Sequence, residues 1–230
     1  MSFSSDIKQV LCETGYECPF CRTAELAGVF CFTGRLEEGN IRFNSASKTV
    51  VSRIKRAVLE ELGIETAHED KILIEDAEDA RRMRDKLGGF RPESECCRIA
   101  YIRGAFFGGG SVSDPKREYH MEFDTRSERG AAMLIELLGD LDIRARQTLR
   151  KGRIIVYIKE SGNIADIIGH MSGGRAGLEV ISVQVEKEIK NSIVRLVNCD
   201  SANLNKQAKA SSKQIAAIKK NTTPSNGSNS

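Results

Sequence analysis

No apolar run in this 230-residue chain approaches the roughly 18 residues needed to span a bilayer. The amino terminus lacks an apolar secretory core as well, carrying Asp6 and Lys8 where one would lie. These absences speak against a membrane partner and for a cytoplasmic protein. The cysteine count of 7 is odd, which argues against an extracellular disulfide framework and for a reducing compartment. His68, His120 and His170 lie far apart without metal-ligand spacing and read as surface residues. Neither sign of charge dominates, the net being +3.

That small net charge hides an asymmetry. Residues 187–230 hold eight basic side chains (Lys187, Lys190, Arg195, Lys206, Lys209, Lys213, Lys219 and Lys220) against Glu188 and Asp200, a net of +6. The remainder therefore sums to −3, so the basic character lies in a C-terminal arm and the body is slightly acidic. A body gripping DNA along a groove is expected to be positive, because phosphate neutralisation dominates affinity. With 40% apolar and 29% charged residues, the chain is an ordinary globular one, able to bury one good core or two small ones.

What is present is a repeat. Leu26-Ala27-Gly28-Val29-Phe30-Cys31-Phe32-Thr33-Gly34 is echoed by Ile102-Arg103-Gly104-Ala105-Phe106-Phe107-Gly108-Gly109-Gly110. Gly28 and Gly104, Gly34 and Gly110, and Cys21-Arg22 and Cys97-Arg98 all share one offset of 76 residues (104 − 28, 110 − 34, 97 − 21), which Leu62-Gly63 and Leu138-Gly139 keep. Phe43 and Phe123 match at an offset of 80, as if residues 114–117 were a hairpin insertion. Glycine inside a helix costs about 1 kcal/mol relative to alanine. The expected compensation is close approach of two helical backbones, with Gly34 and Gly110 closing each helix in the left-handed conformation.

The periodicities predict an α+β fold of two similar halves, each helix, two strands, helix, two strands, helix. In the first half, helices are expected from Ser4 to Glu13, Arg22 to Thr33, Thr49 to Leu62 and Ala77 to Leu87. Its strands fall at Leu36, Asn40 to Phe43, Ile64 to Ala67 and Lys71 to Glu75. In the second, helices cover Cys96 to Gly108, Ser127 to Leu138 and Ser161 to Met171. Its strands lie at Ser111, Tyr119 to Phe123, Ile143 to Thr148 and Arg153 to Ile158. The division is residues 1–90 and 91–186 for two lobes, 187–220 for a basic helical arm and 221–230 for a tail whose Thr, Pro, Ser, Asn and Gly predict disorder.

The two glycine-rich runs resemble the LAGLIDADG helices of homing endonucleases, and the second half is similar to the bacterial WhiA regulators. That resemblance is carried by Cys97-Arg98-Ile99-Ala100-Tyr101-Ile102-Arg103-Gly104-Ala105-Phe106, by Gly109-Gly110-Ser111-Val112-Ser113-Asp114-Pro115, and by residues 191–206. It covers roughly residues 1–220 and implies pseudo-symmetric αββαββα lobes packed through Gly28, Gly34, Gly104 and Gly110. It further implies a nucleoid-associated, DNA-binding transcription regulator of cell division, chromosome segregation and sporulation. WhiA proteins follow the arm with a helix-turn-helix, whereas ten residues follow Lys220 here. The expectation is therefore weak DNA binding or a protein co-regulator as partner.

Homing endonucleases hold metal with an acidic residue just before the final glycine of each run, because Mg²⁺ needs hard oxygen ligands beside the scissile phosphate. Thr33 and Gly109 occupy those positions. No catalytic residue, enzyme activity or cofactor is expected, with residual DNA cleavage and a pure protein-interaction module as the alternatives. Arg195, Lys206, Lys209, Lys213 and Lys220 are candidate DNA contacts, although a solvated helix face has the same pattern. Cys18-Pro19-Phe20-Cys21 lacks the βαβ context of a redox motif. A zinc site would need two more ligands, which Cys96 and Cys97 would supply if the two helices ran side by side. Against zinc stands the plainer expectation of two small buried side chains at each helix start.

Overall fold

A computed structural model describes residues 3–33, 41–113 and 120–173. Four of its helices begin where a side chain caps them. α3 (Lys48–Leu62) starts because the Ser47 hydroxyl accepts the Val50 N–H, and it stops at Gly63, whose φ of 67° is left-handed and whose N–H reaches the Leu59 carbonyl. α4 (Ala77–Gly88) is capped by Asp76, α5 (Glu95–Gly109) by Ser94 and α6 (Glu128–Gly139) by Ser127, each accepting an N–H three residues on. Such caps are each worth about 1 kcal/mol. α1 (Phe3–Leu11), α2 (Phe20–Thr33) and α7 (Ser161–Met171) complete the helices among the described residues.

Two antiparallel sheets accompany them. β1 (Ile41–Asn44) pairs with β2 (Lys71–Ile74), placing Ile41 opposite Ile74 and Phe43 opposite Ile72, all buried. The second sheet orders β3 (Gly110–Val112), β4 (Met121–Thr125), β6 (Arg153–Ile158) and β5 (Arg146–Arg150) side by side. Phe123 and Val156 sit opposite each other and face the core.

α2 and α5 are the centre of the molecule. A helix apolar on all sides must be surrounded by other elements, and both of these are buried along most of their length. One continuous core wraps them, contributed by Ile7 and Leu11 of α1, Val50, Ile54 and Val58 of α3, Leu134 and Leu138 of α6, and Ile167 and Ile168 of α7. The rings of Phe32 and Phe106 both meet Phe123 edge-on, with centroids 6.2 and 6.0 Å away, so one aromatic on β4 ties both helices to the sheet.

The α+β class and the order of elements in the second half are as the sequence predicts. Three corrections follow. Ile64 to Ala67 is not a strand: Ile64 is buried, but the segment enters no ladder and runs on to His68, whose carbonyl accepts the Lys55 ammonium at 2.7 Å. The first half consequently shows two strands among the described residues, and the expected strand at Leu36 lies outside them. Ile143 to Ala145 also precedes, and does not join, β5. Gly110, expected to be left-handed, is extended at φ −80° and ψ 144° because it already begins β3. Gly34, the arm (187–220) and the tail (221–230) fall outside the described residues.

Candidate functional site along the paired helices

The seam between α2 and α5 is backbone against backbone. A Cβ built on Gly28 would sit 2.8 Å from the Ala105 nitrogen and collide with the Tyr101 carbonyl oxygen. One on Gly104 would lie 2.8 Å from the Glu25 carbonyl carbon, and one on Gly108 would lie 2.7 Å from the Val29 oxygen. These glycines are required by contact, not by dihedral freedom, and they are the reason two helices can share one core axis.

Midway along the seam lies a group that the sequence pattern did not announce. Glu25, with no solvent exposure, accepts from Arg103 Nε at 2.6 Å, from Arg53 Nε at 2.6 Å and Nη2 at 3.0 Å, and from the Tyr16 hydroxyl at 2.9 Å. The guanidinium of Arg53 also donates to the Cys12 and Thr14 carbonyls, and that of Arg103 to the Met171 carbonyl. Burial alone would raise the Glu25 pKa, yet the Arg103 and Arg53 charges outweigh it and hold the carboxyl below its ordinary 4.5. The only trace in the sequence was a Glu and an Arg inside runs with no polar face to receive them.

At the carboxyl ends of both helices, Thr33 and Gly109 occupy the expected positions. The Thr33 hydroxyl turns back to its own helix and donates to the Phe30 carbonyl. A Cβ on Gly109 would collide with the Asp124 carbonyl oxygen and lie 2.9 Å from the Phe32 oxygen, so β4 has closed over the position. The nearby Asp124 carboxylate is taken by Arg153 Nε at 2.5 Å.

β5 borders this end of the structure, and all five of its residues are exposed. Residues opposite one another in register share a face. One row runs Arg146, Tyr157, Glu122, Ser111; the next runs Thr148, Ile155, Asp124; the last pairs Arg150 with Arg153. The outward face thus carries three arginines against two carboxylates, although the body as a whole is slightly acidic. In the smaller sheet, Arg42, Asn44 and Lys71 likewise share one face with Leu73.

At the amino ends, all four candidate metal cysteines come together. The Sγ atoms of Cys18, Cys21, Cys96 and Cys97 lie within 4.8 Å of one another. Side-by-side helices thus bring together two motifs that the sequence separates widely. The candidate DNA contacts Arg195, Lys206, Lys209, Lys213 and Lys220 fall outside the described residues.

Paired glycine-lined helices under antiparallel sheets define a LAGLIDADG-type fold. The pattern of the WhiA LAGLIDADG-like domain matches residues 98–190. A Clostridium botulinum (strain Hall) protein named as a cell division protein WhiA is 33% identical over 251 aligned residues, covering 95% of this chain and 80% of its own length. A Heliobacterium modesticaldum protein of the same name is 34% identical, over 95% of this chain and 78% of its own. Among solved structures, full-length DUF199/WhiA from Thermatoga maritima superposes with a TM-score of 0.65 at 23% identity, covering 95% of this chain and 78% of that one. The chain belongs to the WhiA family.

Proposed function

We propose that the chain is a DNA-binding regulator acting on cell division, chromosome segregation and sporulation, built on an endonuclease scaffold that no longer cuts. The observation that carries the loss of cutting is the closure of β4 over Gly109. A missing carboxylate can return by a single substitution. Here any side chain at 109 first requires the backbone of Asp124 or Phe32 to move, so the scaffold has settled without a metal ligand there. Thr33 offers a neutral hydroxyl already engaged by its own helix, and Mg²⁺ favours carboxylate oxygens. DNA binding is supported by the arginine rows of the larger sheet and by the basic arm. Arginines on an exposed sheet face suit phosphates, which position a protein on a duplex without reading its sequence.

The test is one preparation assayed two ways. Supercoiled plasmid incubated with Mg²⁺ or Mn²⁺ should stay intact, while a fluorescent duplex should bind with an affinity that falls steeply with salt. Metal-dependent nicking that co-purifies with the folded protein would remove the first half of the reading, and salt-insensitive or absent binding the second. A second reading, a protein co-regulator as main partner, is favoured by Leu149. It lies on the same face of the sheet as the core-facing Val156 and Phe123 rows yet is 73% exposed. Capture of a partner that survives nuclease and high salt would support that reading over DNA.

A further inference from the structure

We propose that Cys18, Cys21, Cys96 and Cys97 form a structural zinc site that clamps the starts of α2 and α5 together. Four thiolates at about 2.3 Å from one tetrahedral zinc stand about 3.8 Å from each other. The sulfurs here already bracket that figure: Cys18 to Cys21 is 3.4 Å, Cys18 to Cys97 is 3.5 Å, and no pair is further apart than 4.8 Å. Sub-ångström adjustments of side-chain torsions would therefore close the shell around an ion. Bonded disulfide sulfurs stand at about 2.05 Å, so these are thiols in contact and not bridges.

The surroundings fit a thiolate cluster. Cys18 precedes α2 and Cys21 lies in its first turn, while Cys96 and Cys97 lie in the first turn of α5. Two helix amino termini, each carrying partial positive charge, therefore converge on the place where a four-thiolate zinc centre would carry two negative charges. The Ser94 hydroxyl stands 3.2 Å from Cys96 Sγ, where it can donate to a thiolate and orient it, as outer-shell groups do in metal sites. Cys21 and Cys97 are buried while Cys18 and Cys96 are partly exposed, which leaves an entry path for the ion. Binding is a ligand exchange without redox change: Zn²⁺ gives up its water ligands, and each thiol releases its proton to solvent as its sulfur binds.

Such a site would act at the opposite end of the seam from Gly109. The glycines let α2 and α5 approach, and Phe123 holds their carboxyl ends; zinc would fix their amino ends, joining residues 79 positions apart. This proposal is independent of DNA binding, and either can fail alone.

The full chain, purified under reduction and refolded with zinc sulfate, should hold about one zinc per chain by elemental mass spectrometry. Cobalt chloride in its place should give the charge-transfer and ligand-field bands of a tetrahedral four-sulfur centre. Cys18→Ser and Cys97→Ser should abolish the stoichiometric zinc, and Cys31→Ser should retain it. Should the variants fail to fold, alkylation of the unaltered chain replaces them. Zinc should then protect Cys18, Cys21, Cys96 and Cys97 but leave the labelling of Cys12 and Cys31 unchanged. Metal-free protein after refolding with zinc, zinc retained in both cysteine variants, or labelling of the four thiols unaffected by zinc would overturn the site.

Discussion

Glu25 Oε2 and Arg103 Nε stand 2.6 Å apart across the helix seam, although 78 positions separate them in the chain. Both side chains are buried, and Arg53 completes the cluster from α3. Two cations thus share one carboxylate in the centre of the molecule. Removing the carboxylate leaves both guanidiniums buried without a counter-charge, which costs about 3–5 kcal/mol. Glu25→Gln is expected to destabilise the fold by that amount in urea titrations. Adding Arg103→Gln should recover part of the loss, so the double-mutant cycle should show strong coupling. Additive losses would mean the two side chains act independently.

The same carboxylate sets an acid limit. Its folded pKa is depressed below 4.5, so its contribution is complete above about pH 4.5 and is lost as the pH falls through the lower folded value. Stability measured from pH 6 downward should fall more steeply in the unaltered chain than in Glu25→Gln, with the two curves converging in acid. Parallel curves would show that Glu25 does not carry the acid response.

Lys8 predicts a second rise of stability with pH, on the alkaline side. Its ammonium donates to the Phe107 carbonyl and lies over the Phe106 ring, and burial brings its pKa down from 10.5 to about 8. Between those values the unfolded chain binds the extra proton, so stability attributable to Lys8 rises as pH rises from about 8 to 10.5. Solvent screening at this half-buried site limits the effect to about 1 kcal/mol. Lys8→Met should remove that rise when its pH profile is subtracted from that of the parent; an unchanged difference across this window would refute the assignment.

The seam glycines should be far less tolerant than glycines elsewhere. Gly28→Ala and Gly104→Ala drive a methyl into the facing backbone and are expected to cost about 3 kcal/mol or more. Gly139, at the end of α6, has open space around its Cβ position, so Gly139→Ala should be neutral or stabilise by up to about 1 kcal/mol. Equal midpoints for the three variants in thermal melts would contradict close approach along α2 and α5.

If the outward sheet face meets phosphates, reversing charge at Arg146 and Arg150 should weaken every duplex similarly. It should also lower the slope of log affinity against log salt by about 2, one unit for each lost phosphate contact. An unchanged slope, together with a reduced one on reversing Lys206 and Lys209, would move the contact to the arm.

The parts of the fold that depend on near neighbours are legible in the order of residues. The helical patterns of Thr49 to Leu62, Ala77 to Leu87, Cys96 to Gly108 and Ser127 to Leu138 and the alternation of Arg153 to Ile158 are local, and each predicts an element the structure contains. The 76-residue offset also exposed the duplication, because a repeat is written directly in the residue order. Ile64 to Ala67 misled for the complementary reason: extended, partly apolar residues become a strand only when a neighbour offers hydrogen bonds, and none among the described residues does.

Which distant groups meet is set by packing. Net charge suggested an acidic body, but strand register gathers Arg146, Arg150 and Arg153 on one face, which a sum over the chain cannot show. Helix periodicity placed Glu25 and Arg103 in apolar runs without saying that each is the other's counter-charge. The four cysteines acquire a common centre only because bare glycine backbones let α2 and α5 lie in contact. Propensity and periodicity act over a few residues, whereas ion pairing, metal coordination and closure over Gly109 depend on distances that packing alone sets.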